Sequence, residues 1–86
     1  MKKNFIFQGK VQSVGFRYAA KMLAEKYNLV GWVRNNDDGR VTLVADGLKN
    51  DIQSLIDSLQ DGFHDNIENI EESIEKDGGL IGFEIK

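Results

Sequence analysis

Residues 4–17 read NFIFQGKVQSVGFR, and the period of the sequence changes within them. From Asn4 to Val11, Phe5, Phe7, Gly9 and Val11 alternate with Asn4, Ile6, Gln8 and Lys10, the pattern of a strand with one buried face. From Phe16 the period lengthens. Ala20, Leu23 and Tyr27 follow at i+4, i+7 and i+11, which is one stripe of an amphipathic helix. The helix is predicted to begin within 14–17 and to end at Asn28, a residue that tolerates the left-handed cap conformation. A strand, a glycine-containing loop and a helix therefore stand in direct succession.

Working outward, residues 29–34 (LVGWVR) form a second strand. The run Asn35-Asn36-Asp37-Asp38-Gly39 is a dense turn signal leading into 40–45 (RVTLVA), so the two strands make a hairpin with a loop of four or five residues. Asp46-Gly47 ends that strand. Ile52, Leu55, Ile56, Leu59 and Phe63 then mark a second helix, with Asn50 or Asp51 near its start and Gly62 at its close. Residues 65–76 are ambiguous, because Ile67, Ile70 and Ile74 are spaced as on a helix while propensity favours neither state. Asp77-Gly78-Gly79 is a turn, and Ile81, Phe83 and Ile85 alternate as a last short strand. The order β-α-β-β-α-β describes an α+β protein. A split βαβ arrangement has one antiparallel sheet of four strands, or five if 65–76 is extended, with both helices on one face.

Eighty-six residues are expected to form a single domain over 1–86. Cysteine is absent, which excludes disulfides and thiolate metal sites. No apolar run approaches the roughly 20 residues of a membrane span, and Phe5 to Phe7 is too short for a signal-peptide core, so a cytoplasmic protein without membrane contact is expected. The net charge of −3 is unevenly spread. Residues 1–40 carry eight Lys and Arg against three acids, whereas 41–86 carry three Lys against eleven acids. A basic first half suits an anionic ligand, and equally suits chance placement on solvated faces. The overall acidity argues against broad nucleic-acid binding.

Chemistry concentrates in residues 9–17. Gly9 and Gly15 let the backbone curl so that successive N–H groups point inward, and a helix N-terminus follows with unpaired donors and partial positive charge. Such a loop cradles an anion, and phosphate is its natural guest. Arg17, in the first helical turn, has a planar fork able to give two charge-assisted hydrogen bonds to one phosphoryl group. The loop matches neither the P-loop nor the dinucleotide-binding fingerprint. Paired acids such as Asp37-Asp38 and Glu71-Glu72 lack the companions of a metal site, so no metal is expected. His64, the lone histidine, reads as a surface turn residue, Trp32 as a packing residue of the core or sheet face, and Gly31 as a close-packing position.

Gly9-x-Val11-Gln12-x-Val14-Gly15-Phe16-Arg17, followed by Gly31-Trp32-Val33-Arg34-Asn35 and Gly39-Arg40-Val41, resembles the acylphosphatase family. The match in order and spacing spans residues 4–47, with a looser fit over 48–86. The resemblance implies a ferredoxin-like, open-faced βαββαβ sandwich with five antiparallel strands, and hence that 65–76 is a strand. It also implies hydrolysis of the carboxyl–phosphate bond of small-molecule acyl phosphates without a cofactor. By the same resemblance Arg17 and Asn35 are the catalytic pair, the arginine binding phosphate and the asparagine orienting water. The phosphate loop comprises Gln12, Ser13, Val14, Gly15, Phe16 and Arg17, and a monomer is expected. Ser13 departs from the family, which usually has glycine there. If the loop needs a positive φ at this position, serine strains it by roughly 1–2 kcal/mol. Three other readings stand beside this one. They are a catalytically weak acylphosphatase-like module that binds a phosphorylated ligand or a partner, a free-standing relative of the similar domain in larger carbamoyl-transfer maturation proteins, and an RNA-binding domain of the same element order. A chain ending at Lys86 with its elements complete disfavours the second. The third is disfavoured because residues 41–44 lack the aromatics on which bases would stack.

Overall fold

The computed structural model describes residues 1–86 as seven elements. These are β1 (Lys2–Gly9), α1 (Phe16–Lys26), β2 (Val30–Asn35), β3 (Val41–Asp46), α2 (Lys49–Phe63), β4 (Ile67–Glu75) and β5 (Phe83–Ile85). The five strands form one sheet in the order β4-β1-β3-β2-β5. Pairing through β2 is antiparallel, but β5 runs parallel to β2. The sheet is therefore mixed, correcting the expectation of an all-antiparallel one. The reason lies in the connection: β4 and β5 occupy opposite edges, so the chain crosses the whole end of the sheet between them. Residues 78, 79 and 82 of that crossing are glycines with positive φ. Lys2 Nζ donates to the Gly78 carbonyl, and the Gly78 N–H donates to Asp46 Oδ2, which pins the crossing beneath the sheet. As a result β5 ends, like β1 and β2, at the opposite, upper end.

Alternation places Phe5, Phe7, Val33, Val41, Leu43, Ala45 and Phe83 on one face, where they join Phe16, Ala20 and Ala24 of α1 and Ile52, Leu55, Ile56 and Leu59 of α2 in a single core. Phe16 anchors α1 by edge-on contact with Phe7 (4.8 Å) and Phe63 (5.2 Å). Asn28 takes the left-handed conformation after α1, with φ 59°. α2 already begins at Lys49, ahead of Asn50 and Asp51, and continues through Gly62 to Phe63, so that glycine does not end it. Ile81 is 94% exposed and lies before β5, so the last strand is shorter than the alternation suggested.

Residues 65–76 do contain a strand. Its helix-like isoleucine spacing comes from a bulge. Gln8 pairs with Asn69 while Gly9 pairs with Ile67, so Glu68 is an extra residue on β4. The bulge returns Ile67 to the face of Ile70, and both pack on the core. Ile74 shares that face but is 72% exposed.

Part of the charge asymmetry is explained here. Basic β1 lies against acidic β4, with Lys2 near Glu75 (4.0 Å) and Lys3 near Glu72 (3.5 Å), while Arg40 reaches Glu71 (3.5 Å). Such exposed pairs are worth at most about 1 kcal/mol each, so they favour the strand pairing without dominating it. On the uncovered face Trp32 lies between two cations, Arg34 at 5.3 Å and Lys86 at 5.0 Å from the ring centroid. No helix is long and apolar enough to cross a membrane.

Candidate active site

The upper end of the sheet gathers the loop of residues 10–15, the first turn of α1 and the β2–β3 turn. The loop is held on both sides. On the β4 side the Lys10 N–H donates to the Asn66 carbonyl (2.9 Å) and Asn66 Nδ2 donates to the Lys10 carbonyl (3.0 Å). A side chain on Gly9 would collide with the Asn66 carbonyl oxygen, so this close approach requires glycine. On the β3 side Gln12 Nε2 donates to the carbonyls of Asn36 (2.8 Å) and Arg40 (3.0 Å). Asn36 in turn donates through Nδ2 to Thr42 Oγ1 (2.8 Å), and its N–H closes the turn onto the Arg40 carbonyl (2.8 Å).

Between these anchors the backbone curls through two left-handed residues, Ser13 (φ 62°) and Gly15 (φ 80°). Gly15 is the residue before α1, and no side chain caps the helix; its first turn holds no acid. The N–H groups of residues 12–18 donate to no protein acceptor. Seven successive donors without a protein acceptor, at the positive end of a helix, are a candidate anion cradle built from backbone alone. Arg17 adds the side-chain charge and forms no ion pair with any carboxylate of the chain. A cation at a helix N-terminus opposes the dipole, so this arrangement favours a bound anion.

The residues expected to form the site are distributed as follows. Ser13, Gly15, Phe16 and Arg17 line a cavity of about 170 Å³ with Val11, Tyr18 and Ile85. The Phe16 side chain is buried in the core, so any contribution to an anion comes from its N–H. Val14 is exposed beside the cavity. Gln12 turns its side chain to the β2–β3 turn, so any contribution to an anion comes from its N–H. Asn35 lines a second, wholly polar cavity with Arg34, Asn36 and Asp37. Strand register explains its orientation. Asn35 pairs with Val41, which pairs with Phe7, so it belongs to the row facing the helices. Its Oδ1 is buried and accepts no hydrogen bond from the protein. A buried carbonyl without a donor is destabilising by about 1–3 kcal/mol unless a water or ligand supplies one, which makes this atom a candidate contact for either. The sequence reading missed the Gln12 clamp. Its signal, a side-chain amide facing a turn 24 residues away, exists only in three dimensions.

Elsewhere, Asp38 accepts from the Arg40 backbone N–H (3.0 Å) and from Arg40 Nε (2.9 Å), and its carboxyl is held below the ordinary carboxylate range, chiefly by the backbone bond. His64 is exposed at the end of α2, beside Asp65. No three His, Asp or Glu side chains gather as metal ligands would.

An open-faced α+β sandwich whose β1–α1 loop presents unpaired N–H groups and an unpaired arginine defines a domain of ferredoxin-like architecture with a candidate anion site at one end of its sheet. A model of the acylphosphatase family matches residues 3–85, and the chain belongs to that family. It is 45% identical over 62 residues to an acylphosphatase of Bacillus subtilis, spanning 72% of this chain and 68% of the relative. The crystal structure of acylphosphatase from Bacillus subtilis superposes with a TM-score of 0.88 at 34% identity, covering 99% of this chain and 97% of the other. An acylphosphatase of Coxiella burnetii gives 0.86 at 28% identity, covering 99% and 90%. The same fold occurs as a small part of a larger protein: full-length HypF, solved in a phosphate- and nucleotide-bound form, matches with a TM-score of 0.86 at 28% identity over 99% of this chain and 11% of that one.

Proposed function

We propose that the backbone N–H groups of residues 12–17 and the Arg17 guanidinium hold the phosphoryl group of an acyl phosphate, and that Asn35 directs the attacking water. The overall reaction is that of an acylphosphatase: the carboxyl–phosphate bond is hydrolysed to a carboxylate and inorganic phosphate. An acyl phosphate is a reactive mixed anhydride, so the chief tasks are positioning and charge stabilisation. The cradle spreads the charge that develops on the equatorial oxygens over fixed donors. Asn35 can both accept from and donate to water, without the repulsion a carboxylate would exert on phosphate. The substrate's own phosphoryl oxygen can take the proton, so no side-chain base is needed.

The observation that carries this reading is the run of unpaired N–H groups over residues 12–18, completed by an unpaired Arg17. The buried, unpartnered Oδ1 of Asn35 supports its role. The functional unit is the single domain over 1–86, acting as a cytoplasmic monomer without a metal. The test is hydrolysis of benzoyl phosphate with and without a chelator. Turnover in both conditions is expected, and activity that depends on added divalent metal would overturn the mechanism.

A further inference from the structure

The cavity that holds Arg17 has an apolar wall. Besides Ser13 and Gly15 of the loop, it is lined by Tyr18 and Ile85. Tyr18 is 65% exposed and Ile85 40% exposed, so neither side chain is spent on the core. Two elements far apart in sequence bring them together. Tyr18 lies in the first turn of α1. Ile85 is carried to the upper end of the sheet by the parallel pairing of β5 with β2, where it sits beside Val33, two residues below Asn35. The Lys86 N–H donates to the Val33 carbonyl (2.8 Å) and fixes that register. Lys21 Nζ donates to the Phe83 carbonyl (2.9 Å) and so ties α1 to β5.

We propose that Tyr18 and Ile85 form the seat of the substrate's acyl group, and that they give this chain a preference for acyl phosphates with an aliphatic or aromatic acyl group over those with a charged one. The inference rests on the reading of residues 12–17 as the phosphate site. Exposed apolar side chains joined across two elements and bordering a polar site mark a binding surface. In-line attack requires the acyl oxygen to leave opposite the water. Asn35 lines a different cavity from Tyr18 and Ile85, so the residue proposed to direct water is not part of the apolar wall. The nearby cations are committed elsewhere. Lys86 lies over the Trp32 ring on the other face of the sheet, and Lys21 is paired with Glu25 at 2.9 Å. With Arg17 taken up by the phosphoryl group, a second anionic group on the acyl side therefore meets no further cation among the residues lining this cavity.

The test compares kcat/KM for benzoyl phosphate, acetyl phosphate and succinyl phosphate in the wild type and in Tyr18→Ser, Ile85→Ser, Tyr18→Phe and Ile85→Val. Covering roughly 50 Å² of apolar surface corresponds to about a fivefold to tenfold change in affinity. The wild type is expected to prefer benzoyl over acetyl phosphate and to be poorest with succinyl phosphate. Each serine variant should lower the benzoyl-to-acetyl ratio by about fivefold, chiefly through KM, while Tyr18→Phe and Ile85→Val keep it. Inhibition by inorganic phosphate separates the two levels. If phosphate inhibits the wild type and Arg17→Lys weakens that inhibition, but the serine variants leave the ratio unchanged, the acyl seat is overturned and the phosphate site stands. If phosphate binds independently of Arg17, the underlying reading fails as well.

Discussion

Gln12 holds Asn36: its Nε2 donates to the Asn36 carbonyl at 2.8 Å and to the Arg40 carbonyl at 3.0 Å, joining the anion cradle to the turn that follows Asn35. The two halves of the candidate site are thus bound by one side-chain amide. In Gln12→Leu two carbonyls lose a donor, at about 0.5–1.5 kcal/mol of net stability for each bond. A loss of 1 kcal/mol lowers the melting temperature by about 4–8 °C in a domain of this size. The larger effect is expected in kcat, because Asn35 and the cradle no longer share a fixed frame. Calorimetry and steady-state kinetics on the variant measure both; a kcat equal to that of the wild type would show the clamp to be structural only.

Arg17→Lys and Asn35→Ala should separate holding from attack. Lysine keeps the charge and loses the fork, and about 2–4 kcal/mol of transition-state stabilisation should go with it, in rate and in phosphate affinity alike. Asn35→Ala should depress kcat and leave inorganic phosphate binding nearly intact, since water is positioned only for attack. Titration calorimetry with phosphate on both variants decides the matter. Equal loss of binding would mean the roles are wrongly divided.

Ser13 sits at φ 62°, a conformation that L-residues other than Asn and Asp rarely adopt. Ser13→Gly should relieve roughly 1–2 kcal/mol of strain and add about 0.4–1 kcal/mol of unfolded-state freedom, so the melting temperature should change little. Geometry need not cancel in the same way. Phosphate should bind more tightly and kcat/KM should rise as the loop N–H groups converge. Weaker phosphate binding in the variant would instead assign the serine hydroxyl a contact with the anion.

Asp38 makes the β2–β3 turn sensitive to acid. Its folded-state pKa is lowered from the ordinary 3.8, chiefly by the Arg40 backbone N–H, so the ionised form is the one that folding favours. The sign follows from linkage: the contribution is present above the unfolded value and is lost as pH falls through the folded one. Asp38→Asn should therefore flatten the acid limb of stability below about pH 4, where the wild-type carboxylate takes up its proton. An NMR titration of the Asp38 carboxyl that returned an unshifted value would refute this.

Much of this protein can be read from its residues alone. Period-two and period-3.6 patterns are direct consequences of burying one face, and they locate β1, the β2–β3 hairpin and both helices. The candidate cradle is equally local, because glycines, a helix start and an arginine within nine residues suffice to define it. Even the left-handed Asn28 follows from the intrinsic tolerance of asparagine. Other features depend on partners distant in sequence. β4 spaces its isoleucines like a helix because a bulge opposite Gly9 inserts Glu68, and a bulge is a property of two strands, not one. The direction of β5 follows from the path across the lower end of the sheet, so the alternation of Ile81, Phe83 and Ile85 holds no sign of parallel pairing. Two of the eight basic residues of the first half, Lys2 and Lys3, find their partners on acidic β4. Asn35 is marked by its position in a motif, but register with Val41 and Phe7 is what turns it toward the helices and buries its Oδ1. Gln12 lies within the same motif, yet the carbonyls it bridges are 24 and 28 residues away. Local pattern records which groups a segment offers, because burial and backbone preference act over a few residues. Which of those groups meet is decided by strand register and chain crossing, and these exist only once the sheet has closed.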